Sequence, residues 1–365
     1  MRSKQEILAH LDELVIEHTV FSELCDKLLM TIQEGARGRI LMVVGPTGVG
    51  KTELAGLLID ILTKFVESHP ELGFWPPIFL DADSPEYGEF TWRAFYMQGL
   101  KKLAEPAIRS KRNIDALIEE LQLGRPKSSY QSLHVYELRD LYLEALEELR
   151  PIAVFIDEAA SFEKTRSHAN KGGNLNVIKS ISNRKSTIQV LLGAIDAKKM
   201  LFHEAQTSRR VEPVPMWHYS RIQADVDYYV ELLQKALQVL EVPCDRALFT
   251  DKRYIYTHAL GLVGAGMEWE RRAIEEMFRT KCKVLQREHL AATRLSNRQL
   301  AAMAIDMNAF EVEFGDRTDF DIDAYFAKPP KAALPQSRGV GKKSKPGQRK
   351  PKRDSTKRPR DLETE

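Results

Sequence analysis

The segment "VVGPTGVGKTEL", Val43 to Leu54, places a glycine, four further residues and then Gly-Lys-Thr in one short turn. This spacing is that of a phosphate-binding loop, whose glycines let successive backbone N–H groups point at a phosphate. Lys51 is expected to reach the β- and γ-phosphates, and Thr52 to offer its hydroxyl to Mg²⁺. The residues predicted to bind the nucleotide here are Gly45, Pro46, Thr47, Gly48, Val49, Gly50, Lys51 and Thr52.

The residues on both sides of this loop support the same interpretation. Upstream, "RILMVV" is a short apolar run typical of a buried parallel strand. Downstream, "TELAGLLIDILTKF" repeats its apolar residues at helical spacing. A chance glycine-rich turn would not need this strand before it and this helix after it.

A second apolar run, Ile152 to Ile156, ends in the acids Asp157 and Glu158. A buried parallel strand brings its last residues to the edge of the sheet where phosphates bind. Asp157 is therefore predicted to contact the nucleotide and, with Thr52, to hold the metal ion. Glu158 is predicted to orient and deprotonate the attacking water. The alternative is a strand that merely ends in two acids.

The composition favours a soluble globular protein that stays in the cytoplasm. The chain has 365 residues, of which 43% are hydrophobic, and no stretch approaches the ~20 apolar residues that cross a bilayer. Its first residues carry charge throughout and lack the apolar centre of an export signal. The three scattered cysteines have neither metal-ligand spacing nor the even count of a disulfide framework. We therefore expect no membrane partner and a reducing compartment.

The charge is unevenly distributed. Residues 328–365 hold 13 Lys and Arg against 4 Asp and Glu, which leaves 41 basic and 48 acidic residues in the rest of the chain. This tail is rich in Pro, Gly, Ser and Lys and has almost no large apolar side chains, so we predict that it is disordered. It is either a solvated terminus or a basic arm for nucleic acid or an acidic partner.

Further strands are predicted at residues 76–82 and 187–195. The segment 211–217 contains two prolines, so it can only be an edge strand or an extended segment. From Tyr219 to about Gly315 the pattern is almost wholly helical. The predicted organisation is an N-terminal helical segment (1–36), an α/β nucleotide-binding domain (37–217), a helical lid domain (218–327) and the disordered basic tail (328–365).

Together these features resemble the AAA+ ATPases, and more narrowly the TnsC/TniB group of transposition regulators. The segments that carry the resemblance are "GPTGVGKTEL", "AVFIDEAASF", "NLNVIKSISNRKSTIQVLLGAID" and "AQTSRRVEPVPMWHY". The resemblance implies a P-loop AAA+ core with a parallel sheet flanked by helices, followed by a small helical lid. It also implies ATP and Mg²⁺ as ligands, and a homo-oligomer, a ring or a filament, on duplex DNA that connects target-selection proteins to a transposase.

Within this resemblance, Arg209 and Arg210 fall where such ATPases often place an arginine that reaches the γ-phosphate of a neighbouring subunit. The alternative is an exposed basic pair before an edge strand. In this family an N-terminal segment often passes the adenine, and His18 lies in such a segment. His18 would then border the base; the alternative is a partly exposed histidine of a helix. Six basic residues could follow a DNA backbone or form a solvated helix face: Lys164, Arg166, Lys171, Lys179, Arg184 and Lys185.

The sequence departs from the family pattern in two places. Gly193-Ala194 stands where an Asn or Thr normally contacts the γ-phosphate, which leaves Asp196 as a weak substitute. The lid segment has no arginine at its start, although Arg271 and Arg272 follow one to two turns later. Both departures predict slow hydrolysis.

Three other functions stay open beside a transposition regulator that assembles with ATP and is disassembled by hydrolysis. A replication-initiator or clamp-loader type ATPase would share nearly every motif above. A nucleotide-dependent scaffold with little turnover would not need Glu158, but it would explain Ala194. A small-molecule phosphotransferase would need an acceptor site close to the loop, and the helical domain and basic tail fit it less well.

Overall fold

The computed structural model describes residues 3–16, 18–35, 38–82, 90–109, 133–163, 173–182, 187–197 and 211–315. Within these ranges five strands form one sheet in the order β2-β3-β4-β1-β5, and every neighbouring pair is parallel. The strands are β1 (Ile40–Val44), β2 (Ile78–Asp81), β3 (Ala153–Asp157), β4 (Ile188–Gly193) and β5 (Val211–Pro215).

Helices precede, connect and follow the strands. Those before and between the strands are α1 (Lys4–Glu13), α2 (Thr19–Gln33), α3 (Lys51–Ser68), α4 (Trp92–Arg109), α5 (Val135–Leu149) and α6 (Gly173–Ser182). Those after the sheet are α7 (Gln223–Val239), α8 (Lys252–Ala259), α9 (Val263–Arg279), α10 (Arg287–Thr293) and α11 (Asn297–Phe314). Short 3₁₀ turns occupy Pro70–Leu72, Ala159–Glu163 and Ile195–Ala197.

The predicted parallel α/β fold and helical C-terminal region are confirmed, and β5 shows why its prolines are tolerated. This strand lies at the edge of the sheet, with Pro213 opposite Met42 and Pro215 opposite Val44. Proline has no N–H to donate to a second neighbouring strand, so it is confined to such edges.

The sheet is buried on both faces. In β1, Ile40, Met42 and Val44 belong to one apolar cluster, while Leu41 and Val43 belong to another on the opposite face. Successive side chains of a strand point to opposite faces, so a strand that is covered on both sides must be apolar at every position. This explains why the run before the phosphate loop shows no alternation.

A third apolar cluster is built from helices after the sheet, and it includes Ile7 and Leu11 of α1. The C-terminal helix α11 behaves differently, because Met307 and Phe310 pack into the two clusters beside the sheet. The last described helix of the chain therefore lies against the nucleotide-binding region and not only against the helices that precede it.

The residues up to Gly315 form one compact unit, and the boundaries predicted near residues 36, 217 and 327 stay predictions. The basic tail, 328–365, lies outside the described residues. No helix in the described ranges is long and apolar enough to cross a membrane.

One acidic side chain of α9 is buried without a hydrogen-bond partner for its carboxylate. Glu270 is 2% exposed, and neither of its carboxylate oxygens has a hydrogen-bond partner among the described residues. Burial raises the pKa of this carboxyl well above its ordinary value. When ionised, Glu270 adds to the effect of burial in raising the pKa of Tyr229 and Cys244. The native state therefore holds Glu270 in its neutral form over a wider pH range than the unfolded chain does.

We predict that Glu270→Gln becomes more stable relative to the wild type as the pH rises. The contribution of Glu270 is complete below the ordinary glutamate pKa of about 4.3 and is lost as the pH rises through its elevated folded-state value. Urea unfolding from about pH 5 to about pH 8 measures the difference. Glu268→Gln, an exposed neighbour in α9, should follow the wild type. A constant difference between Glu270→Gln and wild type would contradict the assignment.

Candidate nucleotide-binding site

The backbone of the loop between β1 and α3 is shaped to bind an anion. Gly48 and Gly50 have φ angles of +83° and +109°, which residues with a side chain rarely adopt. Helix α3 begins at Lys51, directly after the second of these glycines. Its first N–H groups and the positive end of its dipole therefore face the loop, as in other phosphate-binding helix termini.

Lys51 is held inside the loop. Its ammonium group donates to the carbonyl oxygens of Gly45 and Pro46 at 2.8 and 3.0 Å. Burial lowers the pKa of Lys51, while the charges of nearby carboxylates oppose this shift, first among them Asp157 and Asp306. The ammonium is thus poised among oxygen acceptors that phosphate oxygens would replace.

The two predicted metal ligands meet across the sheet. The Thr52 hydroxyl donates to Asp157 Oδ2 at 2.8 Å, although the two residues are 105 positions apart. The other oxygen, Oδ1, accepts the N–H of Glu158 at 2.7 Å. A hydroxyl and a carboxylate at this separation are the hard oxygen donors that Mg²⁺ prefers, so these residues fit the ion that the motif implies.

Glu158 has a backbone conformation that the sequence did not predict. Its φ is +52°, in the left-handed region, and its side chain is exposed. A residue other than glycine adopts this region at a cost of about 1–2 kcal/mol. Such strain is often found at functional sites, and here it turns the chain sharply just beyond β3, at the same edge as the phosphate loop.

A third acid reaches the loop from a distant part of the chain. Asp306 of α11 accepts the backbone N–H of Thr47 at 3.1 Å, across 259 positions. Sequence reasoning missed this residue, because a single aspartate in an amphipathic helix carries no spacing signal that connects it with the loop.

A cavity of about 250 Å³ lies beside the loop. Its walls include Leu11, Asp12 and residues 14–16 of the N-terminal segment, Val49 and Gly50 of the loop, and part of α9. The phosphate loop therefore shares this cavity with the N-terminal segment and α9.

Helix α9 is anchored directly on the loop. The N–H of Ala265 donates to Gly48 O at 3.0 Å, and a Cβ atom on Gly264 would lie 2.8 Å from that oxygen. At the cavity, Arg271 forms a two-pronged ion pair with Asp12, with 3.2 Å between Nη2 and Oδ2. The first helix of the chain and α9 are thereby joined over the cavity.

The structure separates His18 from this cavity wall. His18 is 5% exposed, and its Nδ1 lies 2.8 Å from the Tyr219 hydroxyl. Burial lowers the pKa of His18 to about 4, so it is a neutral packing residue at neutral pH. The expectation of a partly exposed side chain was wrong, because the rings of Phe21 and Tyr219 enclose it.

The two departures from the family pattern have structural counterparts. Ala194 follows β4 with no polar side chain, and Asp196 is exposed in the short turn after it. Arg271 pairs with Asp12, and Arg272 lies 3.7 Å from Glu268. Arg209, Arg210 and all of the six basic residues except Lys179 lie outside the described residues.

Comparisons with known proteins agree with this geometry. A family model described as an AAA domain matches residues 34–201, and no curated protein sequence matches the chain. The chain is similar to the Aeropyrum pernix ORC1 protein in complex with DNA, with 17% identity over 80% of this chain and 68% of that one and a TM-score of 0.55. It is also similar to a Walker-type ATPase of Pyrococcus abyssi, with 14% identity, coverages of 82% and 75%, and a TM-score of 0.48. The fold is the AAA+ P-loop fold.

We predict that Lys51→Ala and Glu158→Gln separate binding from turnover. Lys51→Ala removes the ammonium among the loop oxygens, so affinity for a fluorescent ATP analogue should fall by at least about tenfold. Glu158→Gln keeps the size of the side chain but removes the base, so ATP should still bind while phosphate release falls by about 10²-fold or more.

Each of these two predictions has an outcome that would contradict it. Unchanged affinity in Lys51→Ala would remove the basis for nucleotide binding at this loop. Wild-type turnover in Glu158→Gln would show that another group activates the water. Asp60→Asn, an exposed acid further along α3, serves as the control and should leave both measurements unchanged.

Proposed function

We propose that this AAA-type ATPase domain binds ATP with Mg²⁺, hydrolyses it slowly, and uses the bound nucleotide to assemble copies of the chain on duplex DNA. The observation that carries the proposal is the 2.8 Å contact between Thr52 and Asp157, with Lys51 in the loop and Glu158 next to Asp157. Four residues of the types used in phosphoryl transfer are thus at one end of the sheet.

The chain's own residues have distinct roles in this chemistry. Lys51 binds the phosphates, and Thr52 and Asp157 would hold the metal ion, which supplies charge neutralisation for the phosphate oxygens when bound. Glu158 takes a proton from water as the water oxygen bonds to the γ-phosphorus. The bond from that phosphorus to the bridging oxygen of ADP breaks, and the products are ADP and inorganic phosphate.

Slow turnover is supported by the lack of free side-chain donors for the γ-phosphate among the described residues at two positions where related ATPases have them. Gly193-Ala194 presents no side-chain donor after β4, and Arg271 is engaged by Asp12. Donors placed around the transferring phosphoryl group account for much of the rate of such reactions. A single subunit of this chain therefore needs a further positive group for efficient hydrolysis.

The family resemblance supports a neighbouring subunit as the source of that group. Strand β5 begins at Val211, which pairs with Ile40 at the end of the sheet away from the phosphate loop, whereas Pro215 pairs with Val44 beside the loop. Arg209 and Arg210 precede β5 in the sequence and lie outside the described residues, so the motif alone supports their role in the site of another copy.

We predict that hydrolysis rises with protein concentration and that activity recovers in mixed assemblies. Arg209→Ala and Arg210→Ala are each mixed with Lys51→Ala, so that an intact loop in one subunit can meet an intact arginine from another. An arginine supplied by a neighbour contributes about 10³-fold or more in related ATPases and GTPases. Phosphate release measured across mixing ratios should pass through a maximum. A rate per subunit that is independent of concentration, with no recovery in any mixture, would contradict a shared site.

Two kinds of DNA-bound ATPase fit this scheme. The fold likeness to an archaeal ORC1 protein solved in complex with DNA supports the replication-initiator or clamp-loader kind, which we favour. The segments 174–196 and 205–219 support the second candidate, a transposition regulator of the TnsC/TniB group that connects target selection to a transposase. In both, ATP favours assembly and hydrolysis favours release from DNA.

We predict that DNA binding depends on ATP through the folded region and on salt partly through the tail. Each phosphate contact neutralised by Lys or Arg contributes a slope of about −0.9 to the logarithmic dependence of affinity on salt. Deletion of residues 331–365, which are strongly basic, should make this slope shallower and leave the ATP requirement intact. Binding of both forms to duplex DNA is measured across a salt series, with and without a slowly hydrolysed ATP analogue.

The two possible failures of this experiment have different meanings. An unchanged slope after truncation would assign the tail to a protein partner. Absence of DNA binding by both forms, even with the analogue, would remove DNA from the proposed function.

A further inference from the structure

Helix α11, the last helix in the described ranges, packs on the nucleotide-binding region. Phe310 is fully buried and its ring meets that of Trp217 edge-on at 4.9 Å. At the next residue, Glu311 Oε1 lies 2.9 Å from His218 Nε2. Both partners follow directly after β5 in the sequence, so α11 is fastened beside the edge strand next to the phosphate loop.

The same helix directs a carboxylate at the phosphate loop. Asp306, adjacent to the buried Met307, accepts the N–H of Thr47 at 3.1 Å, and Thr47 lies between Pro46 and Gly48 within the loop. The loop binds phosphates through its backbone N–H groups and Lys51. A carboxylate has the same sign of charge and the same acceptor chemistry as a phosphate, so α11 supplies an internal anion to a site built for an external one.

The charges around the loop show why the contact between Asp306 and Thr47 opposes the binding of ATP. The charges of Asp157, Asp306 and Glu158 all act on the pKa of Lys51. Two of these acids have tasks in metal binding and water activation, whereas Asp306 has neither task. A triphosphate that enters the loop adds several negative charges beside the Asp306 carboxylate, and like charges this close repel each other.

We propose that Asp306 sets the affinity of the phosphate loop for ATP, and that α11 is an autoinhibitory helix which the triphosphate displaces from the loop. The inference rests on the proposed ATP binding and adds a regulatory step to it. Displacement of α11 makes its position depend on the nucleotide, and it frees the surface around Trp217 and His218 that α11 covers. A second copy of the chain, or a partner that holds α11 away, would then favour the ATP-bound form.

The test compares Asp306→Asn with the wild type in titrations with a slowly hydrolysed ATP analogue and Mg²⁺. The substitution keeps the size of the side chain and an oxygen acceptor for Thr47 but removes the charge, so the fold should be retained. We expect affinity to rise by about five- to tenfold, the lower range of coupling between two sites in one protein. Asp60→Asn makes the same chemical change at an exposed position of α3 and should leave affinity unchanged.

A second measurement follows the helix itself by amide hydrogen exchange of the wild-type protein. The analogue with Mg²⁺ should speed exchange in residues 297–314, because α11 leaves its contacts on the loop. Equal or weaker binding by Asp306→Asn, or slower exchange in α11 with the analogue, would overturn the inference and make Asp306 a structural support of the loop. If the wild-type protein does not bind the analogue at all, the proposed ATP binding itself fails.

Discussion

The hydrogen bond between Thr52 and Asp157 depends on the strand order of the sheet, and the rest of the site depends on this bond. In the order β2-β3-β4-β1-β5, one strand separates β1 from β3. Neighbouring strands lie about 4.8 Å apart, so the two motifs stand about 10 Å apart at their strand ends. The first turn of α3 closes this gap, and the 2.8 Å contact is the result. A crevice of this kind at the carboxyl ends of parallel strands is where ligands bind in open α/β sheets.

The phosphate loop is the point where three parts of the chain converge. Helix α3 begins in it, α9 donates to it through Ala265, and α11 accepts from it through Asp306. A shift of the loop therefore changes contacts with α9 and α11, two of the helices that follow the sheet. In the proposed function, this connection is the physical basis on which a bound nucleotide alters the surfaces that would meet DNA or another copy.

Several carboxylates surround the one lysine of the phosphate loop. Among the described residues that influence Lys51 are the carboxylates of Asp157, Asp306, Glu158 and Glu53. One ammonium group cannot balance these acids and a triphosphate together. In the proposed function, the additional positive charge comes from a bound cation and from an arginine of a neighbouring copy, and turnover would then depend on assembly.

The sequence by itself determined the strands and helices, the phosphate loop and the acids after β3, because these depend on short-range spacing and on runs of apolar residues. For residues 211–217 it left an edge strand or an extended segment, since proline cannot donate in the middle of a sheet, and the structure shows the edge strand β5. Only the tertiary structure decided the left-handed turn at Glu158, the burial of His18 and the pairing of Arg271 with Asp12. The same is true of Asp306, which meets Thr47 across 259 positions. These features arise from contacts between distant segments, and no periodicity in the chain records which side chains such contacts bring together.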